Sequence, residues 1–464
     1  MEKLQVDIKP QLTPNSVAVI GATRKTGKGG FNPVEVMLDF GFQGKIYPVN
    51  PFAEEILGLK CYKDVKDIRD PVDLAVISAP RERVPGIAMD CAAMGIRGLV
   101  VIPQGFADAG AEGRVLQDEL TRISRERGIR ILGPNTLGVL NAFSGFITSF
   151  MPHRREKAPV GVICQSGLLF VGAAVFTGVI GKGIDVANGC DVDFAECLEY
   201  FGEDPDLKVI FVHMEGVRGG RRFLEAARRV TRIKPVIVYK TARTQSGARA
   251  AVSHSGSMAG RYEVYDAAFR QSGITPAGSP EEILDYTKAF LQLPSMKGNR
   301  VGLITFTGAG GIIGVDALEA NGLRPAELSP DVIAAVKELS PEWMPIQNPV
   351  DIWPALMKYG MARVYTTALR KMLRDPAVDG VICIAIAPEL PENAFLDITG
   401  IIGEQAAEMK EKPVAAWLYG PNQPAVSQRL DGGGHAAAFP SLPRAARALA
   451  ALHERHRYLE SLDR

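Results

Sequence analysis

The feature that most limits what this chain can fold into is a repeated apolar rhythm. Runs such as SVAVIG (16–21), KIYPVN (45–50), DLAVISAP (73–80), GLVVIPQG (98–105) and IRILGPN (129–135) recur at βαβ spacing. They are too short for amphipathic helices and apolar on both faces, as strands in the middle of a parallel sheet must be. Helical patterns, including 85–94 and 112–127, lie between them. The rhythm then restarts twice. PVGVICQSG (159–167) leads to KVIFVHMEG (208–216) and KPVIVYKT (234–241). NRVGLITFTGAGG (299–311) leads to VDGVICIAIAP (378–388) and KPVAAWLYG (412–420). Each opening strand ends in a Gly-bearing loop ahead of a helical stretch. The expected fold class is therefore α/β, with three consecutive doubly wound domains. Polar, Pro-bearing stretches near 150 and 295 set the expected boundaries at 1–150, 151–294 and 295–464. An Ala-rich stretch, 442–464, reads as a closing helix.

Composition excludes several classes of function. The 53 Lys+Arg balance 52 Asp+Glu, so no basic excess points to nucleic acid or an anionic membrane. No apolar run reaches the ~18–20 residues of a transmembrane helix. The six cysteines, Cys61, Cys91, Cys164, Cys190, Cys197 and Cys383, show neither C-x-x-C nor zinc spacing. The polar opening MEKLQVDIKPQLTPN lacks the apolar core of a secretory leader, and the expected setting is the reducing cytoplasm.

The first Gly-rich loop runs from Gly21 to Gly30. A Walker loop needs four residues between its glycines and Ser or Thr after the Lys. Here five residues separate Gly21 from Gly27, and Gly29 follows Lys28, so that reading fails. A dinucleotide fingerprint needs a second Gly where Thr23 stands, and an acid where the second strand ends in Asn50. A third reading is a different diphosphate ligand, held by backbone N–H groups at a helix N-terminus with Lys25 and Lys28 adding charge. CoA fits that description, and a tight turn with nothing bound remains the plain alternative.

Among six histidines, His254 is set apart by AVSHSGSMAG (251–260), whose small residues leave room for a phosphate and a second substrate. The same spacing also suits a helix-capping loop. His213 lies inside an apolar strand and reads as a buried, satisfied side chain. His453 and His456 lie on the polar terminal helix.

The motifs SVAVIGATRKTGKGG…GFQGKIYPVNP (16–51), VDLAVISAP (72–80), VIPQGFAD (101–108) and GPNTLGV (133–139) resemble the CoA-binding domain of the ADP-forming acetyl-CoA synthetases and of the succinyl-CoA synthetase α subunit. SHSGSMAG (253–260) resembles the family's phosphohistidine segment, with Ser255 and Met258 as mild departures. CQSG (164–167) resembles its Ser-Gln-Ser-Gly turn, with Cys164 in place of the first Ser. FAECLEYFGEDPDLKVI (194–210), TGAGGIIGVDALEANGL (307–323) and NPVDIW (348–353) extend the likeness over nearly the whole chain. ANGCDVDFAE (187–196) departs from the usual Gly-Asn turn.

The resemblance implies a Rossmann-like CoA-binding domain followed by two flavodoxin-like CoA-ligase domains. It implies an acid–CoA ligase in which His254 carries phosphate, Glu215 orients it, and Gln165, Ser166 and Gly167 cradle the phosphate. It implies CoA at Gly21, Thr23, Gly27, Lys45, Asn50, Pro51, Ser78 and Pro80, with Asn135 on the substrate side. No credible nucleotide site exists in these motifs. The resemblance therefore implies ATP/ADP and Mg2+ on a separate ATP-grasp β subunit, in an α2β2-like assembly. A CoA-binding protein without the chemistry is the second reading, and a Rossmann oxidoreductase the third.

Overall fold

The structure, a computed structural model, describes residues 8–27, 29–249 and 260–463. Two compact units divide it, Met1–Ile283 and Leu284–Arg464. Three sheets carry the architecture, and all three repeat one strand order.

The first sheet holds β1 (Ser16–Ile20), β2 (Lys45–Val49), β3 (Leu74–Ile77), β4 (Gly98–Val101) and β5 (Arg130–Leu132), all parallel, in the order β2-β1-β3-β4-β5. Every residue of β1, β3 and β4 is buried, which is why these segments are apolar without alternation. This is the six-stranded Rossmann order with its outer strand missing. Where a third strand would follow β2, the chain makes only the short hairpin of Glu55–Ile56 and Leu59–Lys60. The strand order reverses between β1 and β3, opening a crevice at their carboxyl ends. Helix α1 (Pro33–Phe40) begins just beyond the first Gly loop, and α2 (Val84–Ala93) and α3 (Gly110–Arg127) complete the crossovers.

The second sheet comprises β6 (Val139–Asn141), β7 (Phe146–Ile147), β8 (Val160–Cys164), β9 (Lys182–Asp185), β10 (Val209–Met214), β11 (Val236–Lys240) and β12 (Thr275–Pro276), ordered β12-β11-β10-β8-β9-β6-β7. Strands β8 to β12 are parallel in the flavodoxin order, and their reversal lies between β8 and β10. Strands β6 and β7 add an antiparallel edge. They fall before the expected boundary at 150, yet belong to this sheet. Val139, Leu140 and Asn141 of β6 pair antiparallel with Ile184, Gly183 and Lys182 of β9, and strand pairing is not visible in one-dimensional spacing. Arg130 of β5 reaches Asp191 at 3.0 Å and Glu196 at 2.6 Å, fastening the first sheet to α5 of the second, where α4 is Gly167–Val171 and α5 is Phe194–Glu203.

The second unit contains β13 (Arg300–Thr305), β14 (Arg324–Pro325), β15 (Val350–Asp351), β16 (Gly380–Ile386), β17 (Val414–Tyr419) and β18 (Ala437–Phe439). Its order is β14-β13-β16-β17-β18, with β15 beside β13. The unit begins at Leu284, ahead of the expected 295, because the helix Pro280–Gln292 packs into it. Asp285 of that helix accepts from Nε and an Nη of Arg444, at 2.7 and 2.8 Å. The expected closing helix is present over Leu442–Leu462, and Leu442, Ala445, Ala446 and Leu449 enter the core. Among the described residues, no helix is long and apolar enough to cross a membrane.

Candidate active site

The first crevice is built on close backbone approach. Gly21 follows β1 with φ +85°, and its N–H donates to the Val49 carbonyl at 2.9 Å. A Cβ at this position would lie 2.4 Å from the Ser78 carbonyl oxygen, so only glycine lets β1 and β3 end side by side. Asn32 caps α1 by accepting from the Val34 N–H at 3.1 Å. Its Nδ2 donates to the carbonyls of Thr23 and Lys25 at 3.0 and 3.2 Å, which closes the loop. Asn50 Nδ2 donates to the Ala22 carbonyl at 2.8 Å. The Thr23 hydroxyl accepts from the Lys25 N–H at 3.1 Å. The Gly27 N–H faces the Glu35 carboxylate, 3.0 Å from each oxygen, so a loop amide already holds an anionic group.

Strand register thus brings Gly21, Thr23, Gly27, Asn50, Pro51, Ser78 and Pro80 to the carboxyl edge of the first sheet. Lys45 is not among them. It pairs in register with Ser16 at the start of β1, roughly 13 Å along β2 from Val49 at ~3.3 Å per residue. Its ammonium lies 3.0 Å from Asp70 on the opposite edge. A strand running across the sheet carries its first and last residues to opposite edges, which separates Lys45 from Asn50. Lys28 lies outside the described residues.

The second crevice opens where β8 and β10 end. Gln165 leaves β8, and its Oε1 accepts from the N–H groups of Glu215 and Gly216 at 2.9 and 3.3 Å, tying the two strand ends together. Ser166 takes the N-cap position of α4 with an extended backbone, and its hydroxyl makes no capping bond. Asn135 approaches from the first sheet. It has φ +64° and donates its N–H to the Pro103 carbonyl at 3.0 Å. Asn135, Gln165, Ser166 and Gly167 line one cavity of about 740 Å3. Gln165 also walls a second cavity of about 610 Å3, together with Asn188 and Gly216.

Two residues at these strand ends escaped the sequence reading. Asp185 closes β9 and lines the larger cavity; it is 1% exposed. Burial pushes its carboxyl up to about 7, against the Leu137 N–H that donates to it at 2.8 Å. Lys240 closes β11 and is also 1% exposed. Burial pulls its ammonium down to about 8, opposed by the nearby Glu215 carboxylate. The available signal was one charged residue ending each apolar run. Ala187, in the turn that departs from the family pattern, takes φ +49°, a conformation that suits glycine better.

Glu215 sits at the end of β10, and its Oε2 is buried with no hydrogen-bond partner among the described residues. His213, two residues earlier, is buried as expected but only half satisfied. Its Nε2 meets the Thr241 hydroxyl at 3.2 Å, while Nδ1 has no partner among the described residues. Burial pulls it down to about 4, so it is neutral at pH 7. His254 and its loop, 250–259, lie outside the described residues. The cavity therefore combines helix-start amides, an amide side chain and the Asp185 carboxylate. Such an arrangement suits transfer of a negatively charged group.

Known proteins match this layout. A CoA binding domain matches residues 15–142, a succinyl-CoA ligase-like flavodoxin domain 157–290, and a ligase-CoA domain 301–431. The chain is 34% identical to the ADP-forming acetate–CoA ligase I subunit alpha of Pyrococcus furiosus, over 97% of this chain and 98% of that protein. It is 41% identical to the ADP-forming acetate–CoA ligase II of Archaeoglobus fulgidus over 84% of this chain, and spans 58% of that protein's length. Among solved structures, the dinucleotide forming acetyl-coenzyme A synthetase 1 of Ca. Korarchaeum cryptofilum, in complex with phosphate and ADP, is similar with a TM-score of 0.88 and 34% identity. The match covers 98% of this chain and 99% of that one.

Proposed function

The chain belongs to the ADP-forming acetate–CoA ligase family, and from that premise we propose that it is the CoA-binding, phosphohistidine-carrying subunit of an acid–CoA ligase. The reaction is carboxylate, CoA and ATP giving acyl-CoA, ADP and phosphate, and it is reversible. The observation that carries this reading is the convergence of Asn135 with Gln165, Ser166 and Gly167 around one cavity, with Glu215 bonded to the same Gln165.

The first crevice suits CoA. Gly21 leaves no Cβ in the path, and Thr23, Lys25 and Asn50 surround the loop. The Gly27 amide beside Glu35 is able to hold an anionic oxygen, and a phosphate there would displace that carboxylate. CoA bound in this crevice would supply the thiol that takes the acyl group. Across the second crevice, Gln165, Ser166 and Gly167 would hold the phosphoryl group at the start of α4. Glu215 would accept the N–H of the His254 ring, fixing the tautomer that attacks. The ring-nitrogen lone pair forms the P–N bond as the P–O bond of an acyl phosphate breaks, and the carboxylate leaves with that electron pair. In the synthetic direction the same bonds exchange in reverse. Asn135 would orient the carboxylate.

ATP, ADP and Mg2+ would bind a separate ATP-grasp β subunit in an α2β2 assembly. The Pyrococcus furiosus relative, named as a subunit alpha, supports this. His254 would carry phosphate to that partner. The expected location is the cytoplasm.

The test is incubation of the full chain with acetyl [32P]phosphate. Acid-labile, base-stable label is expected on wild type and absent from His254→Ala. Equal labelling of the two would sink the assignment. CoA-induced thermal stabilisation without any label would leave only a CoA-binding protein.

A further inference from the structure

Asp185 is buried to 1% exposure in the wall of the larger cavity, and no step above uses it. It closes β9 in register with Cys164, the residue before Gln165. Its Oδ2 accepts from the Leu137 N–H at 2.8 Å, and its Oδ1 accepts from the Cys164 thiol at 3.9 Å. Its backbone is held as well. The carbonyl accepts from the Thr136 hydroxyl, and the N–H donates to the Gly138 carbonyl at 2.9 Å. The donors on the carboxyl are neutral, so no charge offsets it when ionised. A buried acid left in that state beside a cavity points to proton chemistry.

The elements packed against Asp185 bring it no cation. On β8, burial pushes the Cys164 thiol far up, so it stays protonated. On the other side β6 offers only Val139 to Asn141, all uncharged. Asp108 lines the same cavity; burial raises it, but the Asn188 amide and the Gly105 and Phe106 N–H groups hold it below the usual carboxylate range. Among the described residues lining this cavity there is no Lys, Arg or His. Its far wall, Ile102 to Gln104, leaves β4 beside β3. The Ile102 N–H donates to the Ile77 carbonyl at 3.0 Å, one residue before Ser78 of the first crevice. The cavity thus runs from the strand ends of the first sheet to the Gln165–Gly167 turn, with Asp185 in its wall.

We propose that Asp185 is the base that takes the proton of the CoA thiol as the thiol attacks the acyl phosphate, and that passes this proton to the departing phosphate. This rests on the acyl-phosphate reading given above. The S–H bond breaks toward the Asp185 carboxylate, and the sulfur electron pair forms the C–S bond. The C–O bond to phosphate breaks, and the departing oxygen receives the proton from Asp185. Thioester and hydrogen phosphate leave, and the carboxylate is restored. A base works best when it titrates near the working pH, and burial raises the Asp185 carboxyl to about 7. The step needs the ionised form, so its rate should rise as pH passes through that value.

Infrared pH titration of the full chain, without CoA, should show a protonated-carboxyl C=O band that fades with a midpoint near 7 and is missing from Asp185→Asn. With CoA and acetyl phosphate, acetyl-CoA formation by wild type should rise about tenfold between pH 6 and 8 and then level, as for one group titrating near 7. Asp185→Asn should lose about a hundredfold at pH 7 and rise about tenfold per pH unit without a plateau, because the thiol then ionises into water. Labelling of His254 by acetyl phosphate, which moves no thiol proton, should fall by less than about tenfold in that variant, against the loss of about a hundredfold or more that removal of a proton-transfer group gives. Cys164→Ser puts a stronger donor on the same carboxylate, so the band and the rate profile should move to lower pH together. If Asp185→Asn does not fold, the wild-type and Cys164→Ser profiles decide. Absence of the band, a level wild-type profile, a band that moves without the rate, or labelling and thioester formation falling equally in Asp185→Asn overturns the inference and leaves the phosphohistidine reading intact. Equal label on wild type and His254→Ala overturns that reading as well.

Discussion

Replacing Gly21 by alanine tests the geometry of the first crevice most directly. The new Cβ would lie 2.4 Å from the Ser78 carbonyl oxygen and 2.8 Å from its carbon, both backbone atoms of a buried sheet that cannot rotate away. Relieving such an overlap typically costs about 1–3 kcal/mol. The left-handed φ of +85° adds about 1–2 kcal/mol for any residue with a Cβ. Lower entropy in the unfolded chain returns about 0.4–1 kcal/mol. The net cost is about 1–5 kcal/mol, or roughly 2–8 °C in the melting of the first unit, Met1–Ile283. Gly27→Ala is the internal control. Its φ is +72°, yet a Cβ there meets nothing within 4 Å, so only the conformational part applies and the net cost is about 1 kcal/mol. Both variants and wild type would be melted by calorimetry with and without CoA. Gly21→Ala should show the larger loss, together with a smaller CoA-induced shift. Equal melting temperatures for the two variants would refute the close-approach argument. A Ser78→Ala background should not rescue Gly21→Ala, because the clash is with backbone.

Further outcomes follow from other residues. Asn32→Ala removes a cap and two loop bonds, and should cost about 2–3 kcal/mol in urea unfolding while weakening CoA-induced stabilisation. Lys45→Ala should change stability by less than ~1 kcal/mol and leave CoA-induced stabilisation unaltered, since its ion pair is exposed and on the far edge of the sheet. A reduced CoA effect would return Lys45 to the site. Asp185 is an acid whose folded value is raised to about 7, so its contribution to stability is highest at low pH and declines as pH rises from its unfolded value toward 7. Asp185→Asn should therefore gain on wild type by roughly 2–3 kcal/mol between pH 5 and pH 7, read from urea melts at both. An unchanged difference would show that the carboxyl is ionised at both.

The three-sheet α/β architecture was legible in the sequence because a parallel strand covered on both faces must be a continuous apolar run. β1, β3 and β4 are such runs. The Gly21 loop and the Gln165–Gly167 turn were also legible, since each follows directly from the end of such a run. Local sequence could not show which strands share an edge. It put Val139–Asn141 and Phe146–Ile147 with the first domain, whereas hydrogen bonding to β9 puts them in the second sheet. The family resemblance put Lys45 and Asn50 at one site, whereas parallel register sends the two to opposite ends of β2. Local sequence passed over Lys240 and Asp185, which burial strips of water at the ends of two strands. Periodicity and turn chemistry act within about ten residues, and they determined which elements form. Register, burial and the electrostatics of strand ends depend on residues tens of positions apart. Only the tertiary structure decided those, and with them which side chains face the site.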